Sequence, residues 1–318
     1  MSKKGGEPVS FAAQTKKELT AIVNEPCCAL AELQALVELN GKVRLVDGRR
    51  MLEVETENVS TARRIYTELR KTVGVHPEVS VRKKMRLKKN NVYSVRLLQG
   101  VELALSTLGL SAEADESITL NNSAPGKTCC RRAYLRGAFL AAGSVNDPGS
   151  NSYHLEMTVH SIVQAERIQD LTAEYELRPK VIPRKNGFVV YLKEGEKIVE
   201  FLSVIGAHQA LLRFEDIRIL KGMRNQVNRL VNCETANMNK TIGAAVRQLE
   251  VIQTIDERMG LHNLPDHLRE VAEMRRQFPD ANLKELVDRM QNRVTKSGLN
   301  HRLKKLEEIA DNLRSAKA

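Results

Sequence analysis

The chain contains no tryptophan, and aromatic residues make up only 4% of it. Single-strand nucleic-acid binders stack bases on aromatic side chains, so that class is disfavoured from the outset. No apolar run approaches the ~18 residues that a membrane span requires. The opening stretch "MSKKGGEPVS" lacks the apolar segment of a signal peptide. Cysteine is scarce and odd in number, five in 318 residues, which argues against a disulfide-stapled secreted scaffold. Acidic residues are outnumbered: 50 Lys and Arg face 39 Asp and Glu, for a formal net charge of +11 and a pI near 9.5. A reduced, cytoplasmic protein with an anionic partner is expected, nucleic acid ahead of an acidic membrane.

What the chain does have is an internal repeat. Cys27-Cys28 precede Cys129-Cys130 by 102 positions, and Gly41 precedes Gly143 by the same interval. "LEVETENVSTARRI" (52–65) lies over "LEMTVHSIVQAERI" (155–168), "HPEVSVRKK" (76–84) over "RPKVIPRKN" (178–186), and "LSTLG" (105–109) over "LSVIG" (202–206). A unit of ~100 residues is too long for a solenoid repeat, so a pseudo-twofold domain is expected.

Both copies predict the same order of elements. In the first, an apolar helix over 28–39 leads to a hairpin turning at Asp47-Gly48, a type I′ signal. Val59, Ala62, Ile65, Tyr66 and Leu69 recur at helical spacing within 58–72. A second hairpin over 77–97 and a short closing helix complete the copy. In the second, the helix covers 130–142 and the first hairpin turns through Asn146 to Gly149. A helix over 161–175 and a hairpin over 179–193, turning at Asn186-Gly187, follow. Residues 111–127, rich in Ser, Asn, Pro and Gly, are expected to link the copies.

The last 55 residues differ in texture. "LPDHLREVAEMRRQF" predicts a helix with Leu268, Val271, Ala272 and Phe278 on one face, ended by Pro279. "DANLKELVDRM" predicts a short second helix, "QNRVTKSG" a turn, and "LNHRLKKLEEIADNL" a third helix with Leu299, Leu303, Leu306, Ile309 and Leu313 inward. This is a helix-turn-helix pattern, with the recognition helix at about 297–310. Lys296, Asn300, His301, Arg302, Lys304 and Lys305 crowd its start, where such helices meet base edges. Asn300 suits adenine and Arg302 suits guanine or phosphate. Thr295 and Ser297 are candidate caps or phosphate contacts. Between the regions, residues 216–262 are expected to form a helix, an Asn-rich break and a second helix, with "NCETANMNK" serving capping and packing.

A second basic feature is "RKKMRLKK" (82–89), six of whose eight residues are cationic: Arg82, Lys83, Lys84, Arg86, Lys88 and Lys89. Phosphate contact and a solvated loop are equally expected of it. The paired cysteines are expected to pack rather than bind metal, because neighbours on a helix point about 100° apart and zinc sites favour spaced ligands. No cofactor and no metal is expected.

The order helix, two strands, helix, two strands, helix, with an apolar first helix ending in glycine, resembles the LAGLIDADG homing endonucleases. The motif covers "LQALVELNG" (Leu33 to Gly41) and "LRGAFLAAG" (Leu135 to Gly143). The resemblance implies an α+β fold of two αββαββα units about a pseudo-twofold axis, followed here by the all-α helix-turn-helix domain. It also implies a metal-binding aspartate before each glycine, and these positions hold Asn40 and Ala142. Phosphodiester cleavage needs carboxylates to hold cations. A degenerate, non-cleaving scaffold is therefore expected; Asp47 and Asp147 stand nearby but off the helix ends.

Nearly the whole chain is similar to the WhiA family of bacteria. "SFAAQTKKEL" (10–19), "AYLRGAFLAAGSV" (133–145), "NRLVNCETANMNK" (228–240) and "TKSGLNHRL" (295–303) carry the likeness. The resemblance implies a non-enzymatic, sequence-specific regulator of transcription tied to cell division, chromosome segregation and, in spore formers, sporulation. Its expected partners are double-stranded DNA at promoter sites and the transcription machinery or other regulators, with no membrane and no need to dimerise. The expected location is the cytoplasm, on the nucleoid. An active endonuclease, and a protein-interaction scaffold touching DNA only through its helix-turn-helix, are the alternatives. Expected boundaries are 10–110 and 128–215 for the repeats, 111–127 for the linker, 216–262 for a connector and 263–318 for the helix-turn-helix.

Overall fold

The computed structural model describes residues 10–83, 91–113, 116–121, 125–291 and 293–315. The chain divides into two compact units, Met1–Gly222 and Met223–Ala318. The first opens with α1 (Phe11–Leu19), whose end is capped by Ser10 accepting from the Ala13 amide at 3.2 Å. That helix is not anticipated by the sequence reading.

The first repeat comprises α2 (Pro26–Asn40), β1 (Gly41–Val46), β2 (Arg49–Thr56), α3 (Val59–Glu68), β3 (Glu78–Lys83), β4 (Asn91–Leu97) and α4 (Val101–Thr107). Pro26 stands at the first position of α2, where its missing N–H costs nothing. Beyond α3 the chain makes one π-helical turn, Leu69–Val73. Two short strands follow, β5 (Leu110–Ala112) and β6 (Ile118–Leu120), paired antiparallel. They lie at and within the segment expected to link the copies. The second repeat comprises α5 (Thr128–Ala142), β7 (Gly143–Val145), β8 (Leu155–Val159), α6 (Ile162–Ala173), β9 (Lys180–Arg184), β10 (Gly187–Leu192) and α7 (Gly195–Ile205).

The two four-stranded sheets share one topology, β1-β2-β4-β3 and β7-β8-β10-β9. Val46 pairs with Arg49 across Asp47 (φ 51°) and Gly48 (φ 75°), the two positive-φ residues of a type I′ turn. In the second copy Gly187 pairs with Arg184, so the turn is Lys185-Asn186 and Gly187 already belongs to β10. This shifts the expected turn by one residue. The β7–β8 connection also runs beyond Gly149, with the Asn146 amide bonded to the His154 carbonyl at 2.9 Å.

Alternation along the strands turns Val43, Leu52, Val54, Val95 and Leu97 toward the helices of the first repeat. Leu155, Met157, Val159 and Val190 do the same in the second. Both cores meet at the α2–α5 crossing. Leu33, Leu36 and Val37 of α2 and Tyr134, Leu135, Ala138 and Phe139 of α5 are wholly buried. Each large apolar side chain so buried contributes about 1.5–3 kcal/mol. Gly137 permits the close approach: a Cβ there would stand 2.3 Å from the Glu32 carbonyl oxygen.

Two acidic side chains of α2 are buried at this crossing, and each is neutralised from several elements. Glu32 accepts from Arg136 Nε at 2.6 Å, Arg64 Nε at 2.8 Å and Asn24 Nδ2 at 2.8 Å. Arg136 also reaches Asn24 Oδ1 at 2.6 Å. Glu38 accepts from the Tyr134 hydroxyl at 2.6 Å and pairs with Arg167. Burial, with the Glu38 charge, pushes the Tyr134 phenol well above its usual pKa. Arg64 and Arg167 are repeat counterparts, on α3 and α6. Tyr134 stands where the second repeat would otherwise carry a counterpart of Glu32, so α2 supplies the acid for both arginines.

Helix α8 (His208–Met259) begins in the first unit and ends in the second. It is unbroken through "NCETANMNK", which corrects the expected Asn-rich break. Asn and Thr cost only tenths of a kcal/mol each in a helix, and the segment holds no proline to force an end. Residues 232–240 are exposed throughout, so they neither cap nor pack. The second unit adds α9 (Asp266–Gln277), α10 (Leu283–Arg289) and α11 (Lys296–Ser315). Its core joins Ile252 and Ile255 of α8 to Leu268, Val271, Leu286, Met290, Leu299, Leu303 and Leu306. Buried Arg275 spans the α9–α10 turn by donating to the Ala281 carbonyl at 2.6 Å.

Glu32→Ala leaves Arg64 and Arg136 without their shared acid, and a destabilisation of about 3–5 kcal/mol is expected. Chemical denaturation should show it as a lower midpoint at unchanged slope. A loss below about 1 kcal/mol, the size of an ordinary substitution, would contradict the role given to Glu32.

Candidate nucleic-acid interface

The two glycine-terminated helices end side by side. Asn40 Nδ2 donates to the Ala141 carbonyl and to the Glu55 carbonyl, both at 3.1 Å. The position the endonuclease motif gives to a metal-binding aspartate here joins the ends of α2 and α5. Ala142 offers no ligand. Asp47 lies in the β1–β2 turn, and Asp147 Oδ1 accepts from the Gly149 amide at 2.8 Å. Neither lines the cleft at the helix ends.

That cleft has a volume of about 710 Å³ and is bordered by Asn40, Ala142, Lys16, Glu55, Glu57 and Arg82 among others. Its two carboxylates were missed by the motif, which looks only at helix ends. Glu55 Oε1 accepts from Arg82 at 2.8 Å and from the Ser94 hydroxyl at 3.1 Å. Lys16 enters from α1, with Nζ 5.9 Å from the Phe139 ring centroid. Although the side chain as a whole is partly exposed, enclosure of its ammonium lowers the Lys16 pKa to about 8, against the opposing pull of Glu57.

The outer face of the first sheet is strongly charged yet largely self-neutralised. Glu53, almost fully buried, pairs with Arg96 at 2.8 Å and Arg44 at 3.2 Å. Burial opposes its ionisation, but Arg96, Ser94 and Arg44 hold its carboxyl below the usual value. Arg82 is exposed and bound to Glu55, and Lys83 is exposed at the end of β3. Lys84, Arg86, Lys88 and Lys89 of the basic run lie outside the described residues.

In the second unit, Thr295 caps α11 by accepting from the Gly298 amide at 3.1 Å. Ser297 is not the cap; its hydroxyl lies 3.2 Å from that of Thr295. Because Leu299, Leu303 and Leu306 face inward, Lys296, Ser297, Asn300, His301 and Lys304 are left exposed along the opposite side. Lys305 is exposed too, with Glu308 as its partner at 3.0 Å. Arg302 stands apart: it is half-buried and directed at the His267 carbonyl at 3.4 Å. A cleft of about 440 Å³ runs along the start of this helix, bordered by Lys240, Thr241, Lys284, Lys296 and Asn300. Lys240 and Lys284 were missed because they are carried on α8 and α10 rather than on α11 itself.

Three of the paired cysteines pack as expected: Cys130 belongs to the core and Cys27 and Cys28 lie against it. Only Cys130 is buried, and Cys129 is exposed. The thiol sulfurs of Cys27, Cys28, Cys129 and Cys130 all lie within 4.8 Å of one another. Adjacent side chains on one helix do diverge, but where two helix starts meet, that divergence spreads each pair across the gap. Burial, with the neighbouring thiols, pushes Cys28 up to about 12 and Cys130 up to about 11. Hydrogen bonds from Cys28 and its neighbours lower Cys129.

A duplicated LAGLIDADG-like unit without aspartates at its axis, together with a helix-turn-helix unit, defines the class. Three family profiles match: the WhiA N-terminal LAGLIDADG-like domain over 26–111, the WhiA LAGLIDADG-like domain over 131–224 and the WhiA C-terminal HTH domain over 227–310. The chain belongs to the WhiA family. It is 55% identical over 311 residues to the probable cell division protein WhiA of Brevibacillus brevis, covering 96% of this chain and 98% of that one. The protein of the same name from Anoxybacillus flavithermus is 54% identical over 310 residues, 96% of each chain. Among solved structures, full-length DUF199/WhiA from Thermotoga maritima superposes with a TM-score of 0.59 at 24% identity, over 95% of this chain and 98% of that one. Among the described residues, no helix is long and apolar enough to cross a membrane.

The lowered Lys16 pKa carries a sign. Below pH about 8 the ammonium is charged in both folded and unfolded chains, and enclosing it costs stability. As the pH rises from about 8 toward the unfolded value of 10.5, the folded chain loses its proton first and that cost is relieved. Acylation of Lys16, followed by mass spectrometry, should accelerate with a midpoint near pH 8. A midpoint near 10.5 would show the ammonium to be solvated.

Proposed function

We propose that the protein is a sequence-specific regulator of transcription that binds double-stranded DNA without cutting it. The observation that carries this reading is the exposed polar start of α11. Lys296, Asn300, His301 and Lys304 lie free of the core there, beside Lys240 and Lys284, in a chain of net charge +11. Asn300 and His301 are assigned to base edges in the major groove. Lys296, Lys304, Lys305, Lys240 and Lys284 are assigned to phosphates, with Ser297 beside them. Arg302 is assigned a bracing role through His267, and Thr295 a capping role.

The basic run beginning at Arg82 and Lys83 is a secondary phosphate contact in this reading. Arg82 must leave Glu55 to serve it, so its contribution is smaller than its charge implies. Relatives named as cell division proteins support a role in division, and the family resemblance extends that role to chromosome segregation and sporulation. Action at promoters on the nucleoid, in the cytoplasm and alongside the transcription machinery, completes the proposal. Asn40→Ala141 bonding and the bare Ala142 argue against cleavage.

Asn300→Ala should relax base preference at one position by about 1–3 kcal/mol, while Lys304→Ala should weaken all sequences alike and lower the salt slope by about 1. Binding titrations on matched and mismatched duplexes over a salt series separate the two. Equal effects on specificity would contradict the assignment.

One observation favours the rival endonuclease: Glu55 and Glu57 border the cleft at the helix ends. With magnesium and bound DNA, no cleavage product is expected. Cutting that disappears in Glu55→Gln would overturn the non-cleaving reading.

A further inference from the structure

We propose that Cys27, Cys28, Cys129 and Cys130 form a tetrahedral thiolate site for a single zinc ion that ties the starts of α2 and α5 together. The first observation is geometric. Four sulfurs around one zinc at about 2.3 Å stand about 3.8 Å apart, and here all four lie within 4.8 Å of one another. Small side-chain rotations close that difference. The second is positional. Each pair occupies the second and third residues of a helix, Pro26–Asn40 and Thr128–Ala142. Two helix starts, one from each repeat, thus bring the four sulfurs to one place. The third is exposure. Cys27, Cys28 and Cys130 pack with the core, but Cys129 is exposed, where packing gives no reason for a cysteine. Cys27 and Cys130 border an open cleft of about 310 Å³ with Lys127, which gives an ion a way in.

The donor set selects the ion. Four sulfur ligands without oxygen or imidazole suit zinc and not magnesium or calcium. Thiols already this close leave no room for the inorganic sulfides of an iron–sulfur cluster between them. Four protein ligands leave no open position, so the site is structural rather than catalytic. Its place explains its use. Asn40 joins α2 to α5 at their C-terminal ends, and zinc joins them at their N-terminal ends, across 102 residues of chain. Binding releases the thiol protons and exchanges four S–H bonds for four Zn–S bonds, with no redox change.

The full chain, purified under thiol reductant and without added chelator, should contain about one zinc per molecule by elemental analysis. The apoprotein titrated with cobalt(II) should develop the visible bands of tetrahedral cobalt and sulfur-to-cobalt charge transfer. Zinc should bleach both, and its removal should lower the melting temperature. Cys129→Ser, at an exposed position outside the packed core, should lose the ion and the chelator-sensitive melting shift. Cys233→Ser should keep both. A folded, fully reduced chain that takes up neither zinc nor tetrahedral cobalt would overturn the proposal. So would a purified chain holding these cysteines as disulfides, or a Cys129→Ser chain with undiminished zinc and cobalt bands.

Discussion

The crossing of α2 and α5 is the constraint on which the first unit depends. Both helices are buried along most of their length, which needs layers on either side, and the two sheets supply those layers. Gly137 sets how closely the backbones approach. That closeness brings Glu32 and Glu38 into a region without water, where an unpaired carboxylate is not tolerated. Arg64, Arg136 and Arg167, together with Tyr134, resolve the problem from three different helices. The charges therefore tie α2 to α3, α5 and α6 about the axis, whereas the apolar side chains supply most of the stabilisation.

The same axis explains what became of the site at the helix ends. A phosphodiester-cleaving centre keeps carboxylates aimed into open space to receive cations. Here Asn40 spends its amide on two backbone carbonyls, Glu55 is occupied by Arg82 and Ser94, and Lys16 brings a cation of its own. The cleft at the helix ends thus holds both signs of charge, Lys16 and Arg82 beside Glu55 and Glu57. The sheet face follows the same logic, with Glu53 and Glu55 absorbing Arg44, Arg96 and Arg82. Exposed Lys296 and Lys304 stand at the start of α11, on a face left open because Leu299, Leu303 and Leu306 point the other way.

Much of this architecture was legible in the residues. Alternating apolar positions and the Asp47-Gly48 turn mark the hairpins, and the offset of 102 marks the repeat. The helix-turn-helix was visible because each helix carries one apolar stripe and one boundary signal, Pro279 or the Thr295 cap. Other features were not legible, for local reasons. The strands β5 and β6 have three residues each, too few for any period to register. Helix α1 buries only Phe11, Thr15 and Leu19 among mostly polar neighbours. Helix α8 looked broken because Asn-rich runs resemble loops, although no residue in it compels a stop. Lys240 and Lys284 reach the start of α11 only through the tertiary fold. The four thiols converge for the same reason: their meeting depends on two helix starts, which no spacing within either copy reveals.

The central claim is that DNA is read by the exposed start of α11. Base-resolved footprinting of the full chain on genomic DNA, repeated with Lys296, Asn300 and His301 all changed to alanine, tests it most directly. The account predicts protection concentrated on major-groove edges at short, recurring sites, and its loss in the triple variant while the fold is retained. Unchanged footprints in that variant would contradict the account and place recognition elsewhere in the molecule.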